Sequence, residues 1–293
     1  MEQITLKQLA ELAGLSIRTV SRVLKGQAHV HPEKRDLILK LAREHNYIPN
    51  MAARNLRLSR SSFVGILCTD ASSEIFVQKL LDLEIRLESC GYYPVVGRFT
   101  GNIAALEKTL AQWSGIAEFV VVTLFAGPTN SSIQELFRRY PLTPIYVDQG
   151  EILDGHTLNI NRATGIRDAI STLIEEGKKK ILRCGDNDSR EKGFQEAFQK
   201  TPPGKRPERL QILGTGTFEN GRQLAEQILE SGADAVFFDT DRMALGFLNY
   251  AAEHEIKVPE RIAVIGFDDD VGGKLIYPSL STVGHPVEAL NQA

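Results

Sequence analysis

Four side chains near the start of the sequence, Ile17, Arg18, Thr19 and Arg22, are of the types that read the edges of bases. They can serve only if one helix presents them together to the major groove. A second set of polar residues marks the ends of apolar runs further along: Thr69-Asp70, Asp148, Gly185-Asp186, Asp239-Thr240-Asp241 and Asp268-Asp269-Asp270. Parallel α/β sheets take small polar ligands just outside the carboxyl ends of their strands, so these positions are candidate ligand contacts.

The elements that must carry the first set are legible in TLKQLAELAGLSIRTVSRVL, residues 5–24. Thr5 and Gln8 have the spacing of a capping box, in which side chain and backbone satisfy each other's free amides. Gly14 ends that helix and Ser16 caps the next. Leu6, Leu9, Ala10, Ala13, Val20 and Val23 form one buried face at helical spacing, which leaves Ile17, Arg18, Thr19 and Arg22 outside. Pro32 and Glu33 suit the first turn of a third helix whose apolar face is expected to be Leu37, Ile38, Leu41 and Ala42. Pro49 breaks the pattern, and after Asn50 the string MAARNLRLSRSS, residues 51–62, has the makings of a short helix that is marginal alone.

From Phe63 the pattern alternates between apolar strands and amphipathic helices, which predicts α/β lobes with open parallel sheets. The first lobe has strands expected at 63–68, 93–96, 119–124 and 145–147, with helices at 74–90, 103–113 and 133–140. The second has strands at 180–184, 210–213, 235–238 and 262–266, with helices at 164–176, 190–199, 220–229 and 242–254. The expected organisation is therefore a helix-turn-helix head over residues 1–48, a hinge over 49–60 and a two-lobed body over 61–293. The lobes divide near 61–158 and 159–285, and a ligand cleft is expected between them.

Charge separates along the same line. Residues 1–60 hold eleven Lys or Arg against five Asp or Glu, a net +6, and the whole chain of 293 residues carries −3, so the remainder carries −9. A basic head on an acidic body fits phosphate contacts confined to one module. No apolar run is long enough to span a membrane, and the N-terminus lacks a signal-peptide pattern, so a cytoplasmic protein is expected. Cys68, Cys90 and Cys184 form no CxxC pair, which argues for structural thiols and against a zinc site. There is no Walker loop, no G-x-S-x-G and no complete G-x-G-x-x-G. His156, His254 and His285 have no local partners and are expected in ordinary surface or loop roles, so no enzyme, metal or cofactor is predicted.

The strings TLKQLAELAGLSIRTVSRVLKG and NYIPNMAARNL resemble the helix-turn-helix and hinge of the LacI/GalR family of bacterial transcription regulators. The segments IEEGKKKIL, REKGFQEAF, DRMALGFLNYAAE, IKVPERIAVIGFDD and YPSLSTV are similar to that family's body, so the likeness covers nearly the whole chain. It implies a homodimer on a near-palindromic double-stranded operator, most often a repressor, with a periplasmic-binding-protein-like body whose small-molecule effector, a sugar or sugar derivative, changes operator affinity. Ile17, Arg18 and Arg22 match the family's base-reading positions, where Ile17 can pack on a thymine methyl and arginine can bond guanine. Thr5, Ser16, Thr19, Ser21, His29 and Asn50 match positions that touch the sugar-phosphate backbone or cap helices. Ala53 and Leu56 match the hinge residues that wedge a base step apart from the minor groove.

In the body, Arg190 and Asp268 fall on the family's effector arginine and carboxylate, with Asp148 a further candidate. The pair suits the vicinal hydroxyls of a sugar and also suits another polar metabolite or a phosphate ester. Thr240 stands where the family usually has Asn, His285 where it often has Gln, and TDASSE, residues 69–74, replaces the usual Asn-Pro-Phe. These departures leave room for an unusual ligand or a pocket that does not respond. The family also continues past the equivalent of His285 with a helix and a last strand, whereas this sequence stops at Ala293, so part of the first lobe is expected to be uncovered. A plain sugar-binding protein is the alternative from another class, and the basic head argues against it.

Overall fold

A computed structural model of the chain describes residues 4–24, 26, 30–48, 61–69, 74–123, 130–148, 155–287 and 290. His29, Asn50, Ala53 and Leu56, with the rest of the hinge, lie outside the described residues. The chain forms two compact units, residues 1–61 and 62–293.

The first unit holds α1 (Leu6–Ala13), α2 (Ile17–Leu24) and α3 (Pro32–Glu44). The Gln8 amide donates to Thr5 Oγ1 at 3.2 Å and the Thr5 amide donates to Gln8 Oε1 at 2.8 Å, so the capping box is present. Gly14 closes α1 with φ +63°, a conformation glycine adopts without strain. The Thr19 amide donates to Ser16 Oγ at 3.1 Å, which starts α2. Leu9, Ala10, Val20, Val23 and Ile38 are buried together, each helix contributing to one small core. On α3 the buried face is turned from the expected one. Leu37 is 42 % exposed, while Leu39, Leu41 and Ala42 flank Ile38 at the edge of the core.

In the second unit, lobe one is a five-stranded parallel sheet in the order β2-β1-β3-β4-β5, made of β1 (Phe63–Cys68), β2 (Tyr93–Arg98), β3 (Ala117–Thr123), β4 (Thr143–Val147) and β5 (His156–Leu158). Its helices are α4 (Glu74–Ser89), α5 (Ile103–Trp113) and α6 (Asn130–Arg139). Lobe two repeats the topology, in the order β10-β9-β8-β6-β7, with β6 (Lys180–Cys184), β7 (Glu208–Ile212), β8 (Ala235–Phe238), β9 (Ala263–Asp268) and β10 (Ser281–Gly284). Its helices are α7 (Arg162–Glu175), α8 (Asp188–Lys200), α9 (Phe218–Gln223), α10 (Ala225–Glu230), α11 (Asp241–Glu253) and α12 (Val271–Leu275). The single helix expected over 220–229 is therefore two, divided at Leu224, and α12 was not anticipated. Strand order reverses beside β1 in lobe one and beside β6 in lobe two, and ligand crevices form at such points.

Glycines let large groups approach closely. The buried Trp113 ring of α5 lies against Gly65 and Gly97, where a Cβ would come within 2.6 and 2.7 Å of ring carbons. Gly246, inside α11, faces the Phe218 carbonyl of α9, which a Cβ would meet at 2.0 Å. Replacing a helix-interior glycine by alanine ordinarily stabilises a helix by roughly 0.5 to 1 kcal/mol. Here the sign reverses. Gly246→Ala is expected to destabilise lobe two by at least about 1 to 3 kcal/mol, because backbone must move to admit the methyl group. A thermal melt of the variant at or above the wild-type midpoint would show that α9 and α11 do not pack this closely.

Two of the three cysteines are placed as structural thiols would be, and the third is not. Cys68 and Cys184 are buried, Cys90 is exposed, and burial pushes the Cys184 thiol up to about 12, which keeps it protonated.

Candidate functional site

On α2 the buried residues Val20 and Val23 fix which side faces outward. Ile17 is 42 % exposed, Arg18 and Arg22 are exposed, and Thr19 and Ser21 are half-buried. Arg18 and Arg22, one helical turn apart, share that outer face. The Ser16 hydroxyl lies 2.8 Å from that of Thr19 as well as accepting its amide, so both hydroxyls help build the helix start. Thr5 is engaged in the same way by Gln8, to which its hydroxyl also donates at 2.8 Å. The hydroxyls of Thr5, Ser16 and Thr19 thus already order the helix N-termini.

The body brings the predicted residues Asp148, Arg190, Asp268 and His285 into one buried cluster and adds two that the sequence reading missed, Lys79 and Arg162. Lys79, on α4, donates to Asp148 Oδ2 at 2.7 Å. Arg162, which opens α7, pairs with the other oxygen of Asp148 at 2.5 Å. Lys79 also reaches His285 Nδ1 at 3.2 Å. A protonated lysine has only donors, so Nδ1 accepts and Nε2–H is left to donate to Asp268 Oδ1 at 3.1 Å. Arg190 Nη2 donates to that same oxygen at 3.2 Å, and the guanidinium lies 4.4 Å from the centre of the Phe267 ring. Lys79 and Asp148 come from lobe one and the other four from lobe two, so the network ties the lobes together.

Local structure explains the placement. Asp148 follows β4 with φ +59° and Asp268 ends β9 with φ +121°, a region that non-glycine residues rarely occupy. Such strain is held only where surrounding contacts determine it, and it is common at ligand sites. His285 lies in the loop that follows β10 directly, and its side chain is buried, which corrects the expectation of an ordinary surface role. His156 and His254 are exposed, the latter stacked on Tyr250 with ring centres 3.8 Å apart. Thr240 contributes no hydrogen bond to this cluster among the described residues. Its hydroxyl accepts from the Met243 amide at 3.2 Å and donates to the Gly216 carbonyl at 3.0 Å, capping α11.

Two neighbouring arrangements hold the strand ends. Arg183 forks onto both oxygens of Asp239 at 2.9 and 2.5 Å, and donates to the Asn187 carbonyl at 2.7 Å and to Glu191 at 2.9 Å. Gly185 must be glycine there, since at φ +151° a Cβ would lie 2.2 Å from the Asp239 carboxylate. The buried Asp241 accepts from the Asp270 amide at 2.8 Å and from the Thr282 hydroxyl at 2.5 Å. A separate cavity of about 480 Å³ in lobe two, lined by residues including Thr172, Leu173, Leu248, Pro259 and Leu280, contains none of the candidate ligand residues.

Burial dominates the titration of the site. It pushes Asp268 up to about 6 against the pull of Arg190, Lys79 and Arg162. It likewise raises Asp241 and Asp270 to about 6. For Asp148 burial also acts upward, but Lys79 and Arg162 outweigh it and leave the carboxyl below its ordinary value. Burial takes the Lys79 amine below its ordinary value although Asp148 opposes this. His285 is pulled down to about 3 by burial and by Lys79, Arg162 and Arg190, with Asp148 opposing.

A depressed histidine means that the unfolded chain binds a proton between pH 6.5 and 3 that the folded chain does not. The His285 contribution to stability is therefore lost as pH falls through that window. His285→Gln removes it. Relative to wild type, the variant is expected to gain about 2 kcal/mol between pH 7 and pH 5, read from paired urea titrations. Comparison with the variant isolates the histidine, because the raised Asp241, Asp268 and Asp270 act in the opposite direction in both proteins. An unchanged difference between the two proteins over that range would mean that His285 is not held neutral.

Comparison with known proteins follows the same two-part division. Residues 5–50 match the family described as bacterial regulatory proteins, lacI family, and residues 170–293 match the periplasmic binding protein-like domain. Catabolite control protein A of Staphylococcus epidermidis is 27 % identical over 97 % of this chain and 88 % of its own. The HTH-type transcriptional repressor PurR of Escherichia coli O1:K1 is 28 % identical over 98 % of this chain and 87 % of its own. Among solved structures, the lac repressor dimer bound to operator and the anti-inducer ONPF superposes with a TM-score of 0.81 at 22 % identity, covering 99 % of this chain and 90 % of that one. The transcriptional regulator CelR in complex with cellobiose gives a TM-score of 0.68 at 22 % identity, covering 99 % and 90 %. Among the described residues no helix is long and apolar enough to cross a membrane, and no group of three or more His, Cys, Asp or Glu could hold a metal ion.

Proposed function

We propose, for a chain that belongs to the lacI family of bacterial regulatory proteins and is a DNA-binding transcriptional regulator, that it acts as a cytoplasmic dimeric repressor whose operator affinity answers to a small molecule held between the lobes. The observation that carries the DNA-reading part is the outer face of α2, where Ile17, Arg18 and Arg22 stand opposite a fully formed core in a strongly basic segment. We assign base reading to these three residues, and sugar-phosphate contact to Thr5, Ser16, Thr19, Ser21, His29 and Asn50. Ala53 and Leu56 serve as the minor-groove wedge.

Dimerisation is supported by exposed apolar side chains. Val77, Leu81 and Ile85 form a stripe at four-residue spacing on α4, and Leu275 and Tyr277 are exposed in lobe two at 80 % and 101 %. Such stripes are unusual on a lone soluble surface and fit a second copy of the chain. A dimer presents two recognition helices to half-sites about one helical turn apart. In the body, Asp148, Arg190, Asp268 and His285 are the proposed effector contacts, with Thr240 at the margin. We assign no catalysis and no cofactor.

Selection of bound duplexes from a random pool by the full chain tests this reading. Enrichment of a near-palindrome is the expected result. If no sequence is enriched and scrambled DNA competes equally with every selected duplex, the protein is not a sequence-specific regulator.

A further inference from the structure

The polar groups of the inter-lobe cluster are unevenly matched. Lys79, Arg162 and Arg190 face two carboxylates, Asp148 and Asp268, while His285 accepts from one cation and donates to one carboxylate. Cations contact both oxygens of Asp148, and Arg190 and His285 share one oxygen of Asp268. Arg190 is 92 % removed from solvent, yet its Nε is buried without a hydrogen-bond partner among the described residues. A neutral sugar brings no charge to these cations, although the second oxygen of Asp268 remains for a hydroxyl of the same ligand. The donor left without a partner is the buried guanidinium Nε of Arg190, in a hydrogen-bonded network of three cations and two carboxylates. Carboxylates just outside the network have partners of their own, Asp239 in the fork of Arg183. Asp241 receives the Asp270 amide and Thr282 at the start of α11, and Asp270 receives the Ile75 amide at the start of α4, so their charge meets helix N-termini.

We infer, building on the effector reading above, that the cleft is selective for an oxyanion-bearing metabolite, one carrying a phosphate or carboxylate group, which Arg190 and Lys79 receive. Arg190 turns its unpartnered Nε and an adjacent donor to the anion, the forked geometry in which guanidinium binds such groups best. Lys79 transfers a donor from Asp148 or His285 to the same anion. The internal carboxylates thus occupy the cations until a ligand anion competes for them, which a neutral polyol does less well.

The test uses the full-length chain and calorimetric titration with glucose, glucose 6-phosphate, glucuronate and inorganic phosphate, alongside operator binding of the same preparations. A phosphate- or carboxylate-bearing probe binding at least tenfold more tightly than glucose is expected, with Arg190→Gln abolishing the preference and Lys79→Arg retaining it. Comparison of glucose 6-phosphate with glucuronate shows which anion is preferred. Circular dichroism melts and operator binding confirm that each variant is folded. Glucose binding as tightly as its charged counterparts overturns the inference and leaves the ligand cleft standing. Charged probes that bind Arg190→Gln unchanged also overturn it, because the basic head then holds them. If even inorganic phosphate fails to bind at tens of millimolar while operator binding is intact, the anion site is wrong and the DNA-binding reading survives. Loss of operator selection in wild type is the separate failure of that reading.

Discussion

Asp148→Asn is expected to destabilise lobe one by about 3 to 5 kcal/mol, the cost typical of removing one partner from a buried ion pair. The substitution preserves shape and removes charge, leaving Lys79 and Arg162 buried without their common counter-ion. Both side chains of the pair with Lys79 are more than nine-tenths buried, so solvent cannot replace the lost carboxylate. The single tryptophan, Trp113, sits in the core of lobe one and reports its unfolding by fluorescence. A fall in the urea midpoint at constant slope is the expected signature. Lys79→Met in the same chain removes one orphaned cation and is expected to restore at least half of the loss. The double variant therefore tests the pairing itself, since additive losses would indicate two independent structural roles. An Asp148→Asn chain that unfolds at the wild-type urea concentration would leave the inter-lobe network without energetic meaning.

This network was only half legible in the sequence, and the reason is physical. Asp148, Arg190, Asp268 and His285 came from strand-end positions and from resemblance, both of which depend on local pattern. Lys79 and Arg162 are brought to Asp148 by packing across 69 residues and by the crossover between lobes. One signal for Lys79 was available. It lies three and four residues after Phe76 and Ile75 on the buried side of α4, where a lysine is tolerated only if paired. Strands and helices were easier, because periodicity of 2 and 3.6 is written into consecutive residues. Thr5, Gln8, Gly14 and Ser16 showed the helix boundaries for the same reason. The break at Leu224 and the rotation of α3 that exposes Leu37 depend on long-range packing, which no local window contains. Gly246 illustrates the limit: it reads as a weak point in a helix, and only the Phe218 carbonyl opposite explains it.

Under the proposed effector reading, Asp148 and Asp268 also connect stability to response. Each is held at an unusual backbone angle and each is paired with cations that cross or line the inter-lobe space. A ligand that draws Lys79 or Arg190 away changes the energy of both strand ends at once. The free energy it can deliver to the DNA head is limited to its difference in affinity between the two arrangements of the body. Weakening the internal pairs therefore raises ligand affinity and lowers the switching range together.

Arg18→Ala with Arg22→Ala is expected to reduce discrimination between operator and scrambled duplex by about 2 to 6 kcal/mol, since each bidentate guanine contact contributes about 1 to 3 kcal/mol. That range is about 30-fold to more than 10,000-fold in the ratio of affinities. Folding of the head should be nearly unaffected, because both side chains are exposed and the core of Leu9, Val20, Val23 and Ile38 lies on the opposite face. Salt dependence separates base reading from simple charge. Side chains that read bases leave most of the slope of log K against log salt in place, whereas two lost phosphate contacts make it shallower by nearly two. The expected outcome is a collapse of specificity with scrambled-duplex affinity close to wild type. Equal losses for operator and scrambled DNA, with the shallower slope, would instead place Arg18 and Arg22 on the phosphate backbone, and Ile17 with residues outside α2 would then have to read the sequence.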